Sequence, residues 1–464
     1  MSTVIHWFRR DLRLTDNTAL QEAARTGAQV VPAYVLSTWR KDHDWTGPKR
    51  QHFLCGSLES LAKNLEAIGS RLILRAGAAL EELEKLVEET GAEAIYFNRD
   101  PDPFGKAVEA KLEKLCKRLG IGCHGFKDTV IHEPGEVLTG SGQPYRVFTP
   151  YSKNWLALPK LPPAGKVRSL GPAAKVHSMV LPTLAHWGLH LPKDADLPAA
   201  GEHAARERMK RFISGGRLAD YAQHRDLPAV KGISGLSQDL RFGLLSIREL
   251  HARCQEHAHE HRAAAAGTAT YIKELAWREF YMAVLHHWPE VLEKDFNPAL
   301  RHVEWPGTDA AFEAWTTART GFPIVDAGIR QLLTTGLMHN RVRMITAMFL
   351  TKDLHCHWLQ GEQFFMQHLI DGEIASNNGG WQWSAGTGAD AAPWFRIQNP
   401  WTQTQRYDPE GRYIKHWLPE LAKVPAEKLC APPPDGQSLA DDYPLPIVDH
   451  GTERARTLAL FKER

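Results

Sequence analysis

The sequence predicts an α/β protein in which a doubly wound parallel sheet, Rossmann-like, precedes an all-helical domain. Three observations predict this class. Short β-branched or aromatic runs alternate with helical spacing over the first 126 residues, ten prolines interrupt residues 127–201, and the pattern beyond residue 202 is helical almost throughout. At 464 residues the chain exceeds what one hydrophobic core usually organises, so two domains are expected, and three at most.

The N-terminal part contains the strand–helix alternation that defines the predicted sheet. Strands are predicted at 4–8, 30–36, 71–76, 94–98 and 121–126. Helices are predicted at 18–24, 51–68, 80–89 and 106–119. Glycines that can adopt the left-handed conformation of a helix end follow these four helices, at Gly27, Gly69, Gly91 and Gly120. This alternation is typical of a parallel sheet covered on both faces.

The rest of the chain divides into a connector and a helical domain. The prolines predict an irregular connector, because each removes a backbone donor and breaks the local period. Helices are predicted at 202–213, 246–261, 268–287, 324–334, 339–352, 361–370 and 452–462. The predicted domains are therefore 1–130 (α/β), 131–201 (connector) and 202–464 (helical).

The composition excludes several classes of protein. Apolar residues make up 43% and charged residues 24% of the chain, which argues against a disordered or collagen-like protein. No stretch approaches the ~18 apolar residues of a membrane span, and charged residues begin at Arg9, too early for a secretory signal. Six scattered cysteines indicate reduced thiols, so we expect a cytoplasmic protein without membrane contact.

The net charge and the tryptophan content of the chain indicate which kinds of ligand it could bind. The net charge is only +2, so binding to nucleic acid would need a local basic patch. Ten of the 15 tryptophans follow residue 270, in the predicted helical domain. Such a concentration is either core packing or a site for flat ligands.

Two helical faces combine unusual side chains. One face presents a carboxylate, an indole, a guanidinium and a phenol at i, i+3, i+4 and i+7: Glu274, Trp277, Arg278 and Tyr281. Spacing alone leaves two interpretations open, an amphipathic helix anchored by tryptophan or a ligand-binding wall. The second face presents an amide, a cation and a thioether: Asn340, Arg343 and Met344. This combination is unusual for a core and suits a ligand wall.

Two predicted loops add candidate ligand-binding groups. Residues 371–383 contain adjacent Asn and Gly, and Trp381 and Trp383 would share a face if this stretch were extended. The alternative is a turn with two packed indoles. Residues 232–237 offer small side chains and hydroxyls that suit phosphate binding, although a single Gly/Ser loop is a weak signal.

Long motifs along nearly the whole chain resemble the photolyase/cryptochrome family. They are HWFRRDLRLTDNTAL from His6, ELAWREFY at 274–281, TGFPIVDAGIRQL at 320–332, MHNRVRMITA at 338–347 and LIDGEIASNNGGWQWSAGTGADAAPWFRIQNP at 369–400. The resemblance implies an N-terminal α/β domain that holds an antenna pigment and a helical domain that holds FAD, active in its reduced form. The antenna would be methenyltetrahydrofolate or 8-hydroxy-5-deazaflavin, and the motifs do not choose between these two pigments and an empty antenna pocket.

The resemblance also assigns the FAD site residue by residue. The implied cofactor-binding residues are Tyr221, Ser234, Leu236, Ser237, Tyr271, Arg343, Asp371, Glu373 and Asn377. Three positions depart from the usual pattern. Ile233 stands where the family usually has Thr, Glu373 where Asp is frequent, and Tyr271 where many relatives have Trp.

Specific positions favour one branch, the class I cyclobutane pyrimidine dimer (CPD) photolyases. Asn340 and Met344 match CPD repair, whereas (6-4) photolyases have His at both places, and Asn377 matches the photolyase choice near flavin N5. The implied activity is a blue-light-driven carbon–carbon lyase reaction, that of a deoxyribodipyrimidine photo-lyase on a flipped-out dimer. The implied catalytic residues are Glu274, Asn340, Met344, Trp277 and Trp383. The alternative is a cryptochrome, a blue-light receptor without repair.

The resemblance implies two further sets of residues and a partner. The partner is UV-damaged DNA containing pyrimidine dimers, and a monomer is expected. DNA contacts fall on Arg225, Trp277, Arg278, Asn340, Arg341, Arg396 and Gln403. An electron-transfer chain falls on Trp305, Trp358 and Trp381. No metal is expected, because the His- and Cys-containing stretches lack ligand pairs at zinc spacing and only three cysteines follow residue 201.

Overall fold

The N-terminal part of the molecule is a five-stranded parallel sheet. The computed structural model describes residues 2–37, 45–172, 174–391, 393, 395–434 and 436–462. The strands are β1 (Thr3–Phe8), β2 (Gln29–Leu36), β3 (Ile73–Ala76), β4 (Ala94–Asn98) and β5 (Gly122–Phe126). They lie in the order β3-β2-β1-β4-β5, and every neighbouring pair is parallel.

Four helices cover the two faces of this sheet. They are α1 (Thr18–Arg25), α2 (Pro48–Glu66), α3 (Ala79–Thr90) and α4 (Pro103–Leu119). Alternate side chains of a pleated strand point to opposite faces of the sheet. Val4 of β1 therefore packs with residues of α1 and α2 on one face, and Ile5 packs with residues of α3 and α4 on the other. The doubly wound arrangement is confirmed. The strand order reverses between β1 and β4, so their carboxyl ends form a topological switch point.

The connector contains regular secondary structure that its proline-rich sequence did not predict. Helix α5 (Phe148–Ala157) and a 3₁₀ turn (Leu184–Trp187) lie within it, so the expectation of an irregular segment is wrong there. Pro150 is the third residue of α5, where a missing N–H costs no helical hydrogen bond. The helix packs its Phe148 and Tyr151 against the helical part of the chain.

The remainder of the described chain is helical, as predicted. Its α-helices are α6 (Glu202–Ser214), α7 (Tyr221–His224), α8 (Ser237–Arg241), α9 (Ile247–Glu260), α10 (Ala265–His287), α11 (Asp309–Thr316), α12 (Pro323–Thr335), α13 (Asn340–Lys352), α14 (Trp358–His368), α15 (Ile374–Ala385), α16 (Pro400–Tyr407), α17 (Arg412–Trp417), α18 (Ala426–Leu429) and α19 (His450–Leu460). Short 3₁₀ turns lie at Arg262–Ala264, Pro289–Leu292, Pro298–Leu300 and Pro419–Leu421.

Helix α15 replaces most of the loop that the sequence predicts at 371–383, and only residues 371–373 remain a loop. Asn and Gly have low helix propensity, but burial on neighbouring helices outweighs that preference. Because 3.6 residues complete a turn, Trp381 and Trp383 point in different directions and do not share a face. Trp381 is 2% exposed and packs on Phe365, whereas Trp383 is half-buried.

No helix among the described residues is long and apolar enough to cross a membrane. The same residues contain no group of three His, Cys, Asp or Glu side chains arranged to hold a metal ion.

Candidate functional site

A cavity of about 480 Å³ opens among helices α7, α8, α10, α13 and α15. This volume lies in the range of small-molecule and cofactor sites. Most of the residues singled out from the sequence line it: Tyr221, Arg225, Ser234, Ser237, Tyr271, Glu274, Trp277, Arg278, Asn340, Arg341, Arg343, Met344, Asp371, Glu373, Asn377, Trp381 and Trp383. The structure therefore brings together side chains from five separate helices and two loops.

Helix α10 supplies one wall. Its Glu274, Trp277, Arg278 and Tyr281 all line the cavity, so the i, i+3, i+4, i+7 face is a ligand-facing surface. The indole of Trp277 stacks on Phe148 of α5, with ring centroids 3.6 Å apart and planes 10° from parallel. The connector helix thus fixes the orientation of this wall.

The carboxyl group of Glu274 lies close to a guanidinium. Arg225 Nη1 donates to Glu274 Oε1 at 2.6 Å. Burial raises the pKa of Glu274, and the charge and hydrogen bond of Arg225 only partly offset this. Glu274 is therefore easier to protonate than an exposed glutamate.

Helix α13 supplies the opposite wall through Asn340, Arg343 and Met344. Asn340 is exposed, and its Nδ2 lies 4.0 Å from Met344 Sδ. Arg343 Nη2 donates to Asp371 Oδ2 at 2.8 Å, and its Nε donates to the Met338 carbonyl at 2.8 Å. These two bonds hold the guanidinium in one orientation in the cavity wall.

Helix α15 and the loop before it complete the cavity. Asn377 Nδ2 donates to the carbonyl of Glu362 at 3.0 Å, which fixes its amide. Glu373 Oε1 accepts from Arg278 Nη2 at 2.9 Å. Burial acts to raise the pKa of Glu373, but the guanidiniums of Arg278, Arg10 and Arg241 outweigh it and lower that pKa. A charged carboxylate therefore stands in the wall.

A hydroxyl-rich end lies where α8 begins. Ser234 and Ser237 line this end, and the Leu236 N–H points to Ser234 Oγ at 3.4 Å. Leu236 itself is fully buried and does not line the cavity. The rings of Tyr221 and Tyr271 meet edge to face at 5.2 Å beside the serines.

These groups fit FAD. Hydroxyls and guanidiniums are suited to the diphosphate, the two tyrosines to a flat base, and apolar side chains such as Leu240, Ala347 and Phe365 to the body of the ligand. Trp381, whose buried indole N–H makes no hydrogen bond within the described protein, also lines this cavity. Residues Arg343, Asp371, Glu373 and Asn377 would hold the polar edge of a flavin ring.

Intervening residues connect the neighbourhoods of Trp381, Trp358 and Trp305, the three tryptophans of the predicted electron-transfer chain. Gly361, one turn along α14 from Trp358, contacts the Trp381 ring so closely that a Cβ would lie 2.1 Å from it. Trp358 is fully buried, and its Nε1 donates to Asp295 Oδ1 at 2.8 Å. The ring of His357 lies 5.5 Å from both Trp358 and the half-buried Trp305.

Two of the predicted DNA contacts lie outside the cavity. Arg396 is exposed, and Gln403 is half-buried on α16. Trp401, which the sequence left unassigned, is 4% exposed and packs on Phe322, so it belongs to the core.

The structure adds residues that sequence reasoning missed. Phe148 was assigned to an irregular connector, and no local signal connects it to Trp277. Asp226 pairs with Arg341 Nη2 at 3.0 Å at the rim, and only its position beside Arg225 could have indicated it. Glu362 is fully buried beneath α15.

The buried carboxyl group of Glu362 should make the stability of the protein depend on pH. Burial raises the pKa of Glu362 to about 8, against a lowering contribution from Asn378. Between its unfolded pKa of about 4.3 and this value the folded state holds the proton that the unfolded state releases, so stability falls as pH rises. We expect the free energy of unfolding, measured with urea, to fall less between pH 5 and pH 8 in Glu362→Gln than in the wild type. Equal losses would contradict this account of Glu362.

The fold and the cavity define a class: two-domain flavoproteins with a parallel α/β domain ahead of a helical FAD-binding domain. The profile described as "FAD binding domain of DNA photolyase" matches residues 271–463, and the profile described as "DNA photolyase" matches residues 4–167. A deoxyribodipyrimidine photo-lyase of Synechococcus is 39% identical, covering 99% of this chain and 96% of the relative. One of Agrobacterium fabrum is 40% identical, covering 99% and 97%. The chain belongs to the DNA photolyase family.

Comparison with solved structures supports this family assignment. A class III photolyase from Agrobacterium tumefaciens superposes with a TM-score of 0.92 at 38% identity, covering 99% of this chain and 97% of that one. A photolyase from Sulfolobus tokodaii with two FAD molecules has a TM-score of 0.84 at 30% identity, and a Synechocystis cryptochrome 0.90 at 29%, each covering 99% of both chains.

Proposed function

We propose that this protein repairs cyclobutane pyrimidine dimers in DNA with blue light, using FAD in the cavity between α10, α13 and α15. The observation that carries the proposal is the make-up of the cavity. Phosphate- and ring-binding groups line its inner part, and two indoles, a thioether, an amide and a protonatable carboxyl lie in the same space. Full-length relatives named deoxyribodipyrimidine photo-lyase support it.

The residues of the cavity have distinct roles in this reaction. When bound, reduced FAD supplies the photoexcited electron that opens the cyclobutane ring. Trp277 and Trp383 enclose the flipped-out dimer and exclude water, and Met344 fills the space at the cyclobutane edge. The side-chain amide of Asn340 makes a hydrogen bond to the edge of a base. Glu274, whose burial raises its pKa, donates a proton in a hydrogen bond to a base carbonyl.

The DNA backbone is held by cations around the mouth of the cavity. Arg225, Arg278 and Arg341 lie in its wall, and Arg396 and Gln403 extend the contact over the neighbouring surface. Phosphate contacts position the duplex without reading its sequence.

Trp381, Trp358 and Trp305 serve as the electron-transfer chain that reduces oxidised FAD. The proposal includes an antenna chromophore, methenyltetrahydrofolate or 8-hydroxy-5-deazaflavin, in the α/β domain. The domain division is 1–130, 131–201 and 202–464, and the protein acts as a cytoplasmic monomer.

The variant Met344→His tests the type of lesion. An imidazole in place of the thioether brings a polar group that must be desolvated against the cyclobutane edge, so repair of thymine dimers should fall. FAD content, read from the absorption spectrum, should not change. Met344→Leu keeps an apolar side chain of similar volume and should repair at close to the wild-type rate. Unchanged repair by Met344→His would remove this residue from the pocket.

A further inference from the structure

The loop between α14 and α15 is held from outside the helical part of the chain. It carries Asp371 and Glu373, both in the cavity wall. From α2, Arg50 donates through Nε to the Leu369 carbonyl at 2.8 Å. Gly372 makes room for this guanidinium, because a Cβ there would lie 2.0 Å from Arg50 Nη2. The α/β domain thus shapes part of the cavity.

A second arginine reaches the loop from the switch point of the sheet. Arg10 lies two residues beyond β1, and its guanidinium donates through Nη2 to Glu373 Oε1. Its Nη1 donates to Asp100 Oδ1 at 3.0 Å, and its Nε to the Arg241 carbonyl at 3.3 Å. One largely buried guanidinium therefore joins the carboxyl ends of β1 and β4 to a carboxylate of the cavity wall.

We propose that Arg10 is a positioning residue for the flavin, acting from the α/β domain through Glu373. It fixes the orientation of the Glu373 carboxylate and neutralises its charge, and so it sets FAD affinity and the flavin midpoint potential. The inference rests on the proposed function, because it requires FAD in this cavity.

The charges around Glu373 explain why Arg10 matters. Glu373 Oε1 accepts from both Arg10 and Arg278, so removing Arg10 leaves Arg278 as its remaining hydrogen-bonded guanidinium. Asp100 would lose its Arg10 partner as well. Breaking a buried pair leaves an uncompensated charge, which is strongly unfavourable. Less neutralised negative charge beside the flavin would make the addition of an electron harder.

The neighbouring Arg9 is a matched control. It is also a largely buried arginine at the carboxyl end of β1, but its guanidinium pairs with Glu109 and lies 4.9 Å from the Trp7 ring. These partners belong to the α/β domain. Among the residues that the structure describes, Arg9 makes no hydrogen bond to residues 369–373, so its loss perturbs the same end of the sheet without touching the cavity wall.

The test compares Arg10→Gln with Arg9→Gln. The measurements are FAD dissociation constants, from flavin fluorescence on deflavinated protein, and midpoint potentials, from spectroelectrochemistry. Arg10→Gln should bind FAD at least about tenfold more weakly, as expected when a buried pair is broken, and should have a more negative potential. Arg9→Gln should match the wild type in both. The double variant Arg10→Gln/Glu373→Gln should recover much of the potential, because the carboxylate is gone.

The outcomes separate this inference from the proposed function. Wild-type protein that cannot bind FAD would overturn both. If the wild type binds FAD but Arg10→Gln and Arg9→Gln have the same FAD affinity and the same midpoint potential, only the role of Arg10 would be overturned. This holds whether both variants match the wild type or both lose affinity equally. If Arg10→Gln does not fold, Arg10→Lys replaces it: lysine keeps the charge but cannot bridge Glu373 and Asp100 in the same geometry. It should therefore bind FAD more weakly than Arg9→Lys, and equal affinities would contradict the inference.

Discussion

Trp277→Ala should weaken binding of DNA that carries one thymine dimer by about 1–3 kcal/mol, or about 5- to 150-fold, the size of a lost base–aromatic contact. The indole lines the cavity and is held flat by Phe148, so it offers the flipped-out bases a rigid face. Binding can be measured by fluorescence anisotropy in the dark. Binding to undamaged DNA should change little, because that duplex does not enter the cavity.

Trp288→Ala is the matched control for this substitution. Trp288 caps the end of α10 and packs on Phe296, outside the cavity. It should leave the preference for damaged DNA unchanged. Equal losses of preference in both variants would mean that α10 as a whole, and not the stacking surface, determines recognition.

Trp381→Phe should nearly abolish photoreduction of oxidised FAD and leave repair by chemically pre-reduced protein intact. Trp381 lines the cavity and contacts Gly361, one turn along α14 from Trp358, so we expect it to be the first member of the proposed electron-transfer chain. Phenylalanine is much harder to oxidise than tryptophan and would interrupt this electron-transfer chain while preserving an aromatic core side chain. The measurement is the rate of flavin bleaching under blue light with an external reductant.

Trp401→Phe makes the same chemical change in the same hydrophobic cluster, outside the proposed electron-transfer chain. It should photoreduce at the wild-type rate even if it is equally destabilised. If Trp381→Phe lost photoreduction and repair together, Trp381 would be a packing residue and not a relay.

The sequence could predict the sheet because its signals are local. Each buried strand is a short apolar run, and Gly91 and Gly120 adopt the left-handed conformation expected at the ends of α3 and α4. The face of α10 could also be predicted, because one helix fixes the relative positions of Glu274, Trp277 and Arg278. Assigning those residues to a flavin site depended on the family resemblance.

The remaining features depend on contacts between distant segments. Helix α15 has the composition of a turn, and packing against α10, α13 and α14 makes it helical. Arg10 and Glu373 are 363 positions apart, and the stack of Phe148 on Trp277 joins the connector to α10. No periodicity connects such pairs, so neither could be predicted from spacing.

The central claim is that the cavity holds FAD where light can drive electron transfer to a pyrimidine dimer. The most direct measurement combines an absorption spectrum of the purified protein with repair of an oligonucleotide that carries a single thymine dimer, in blue light and in darkness. We expect bound flavin and dimer loss only in light. Bound flavin with an intact dimer after illumination would contradict the claim and indicate a light receptor of the cryptochrome type.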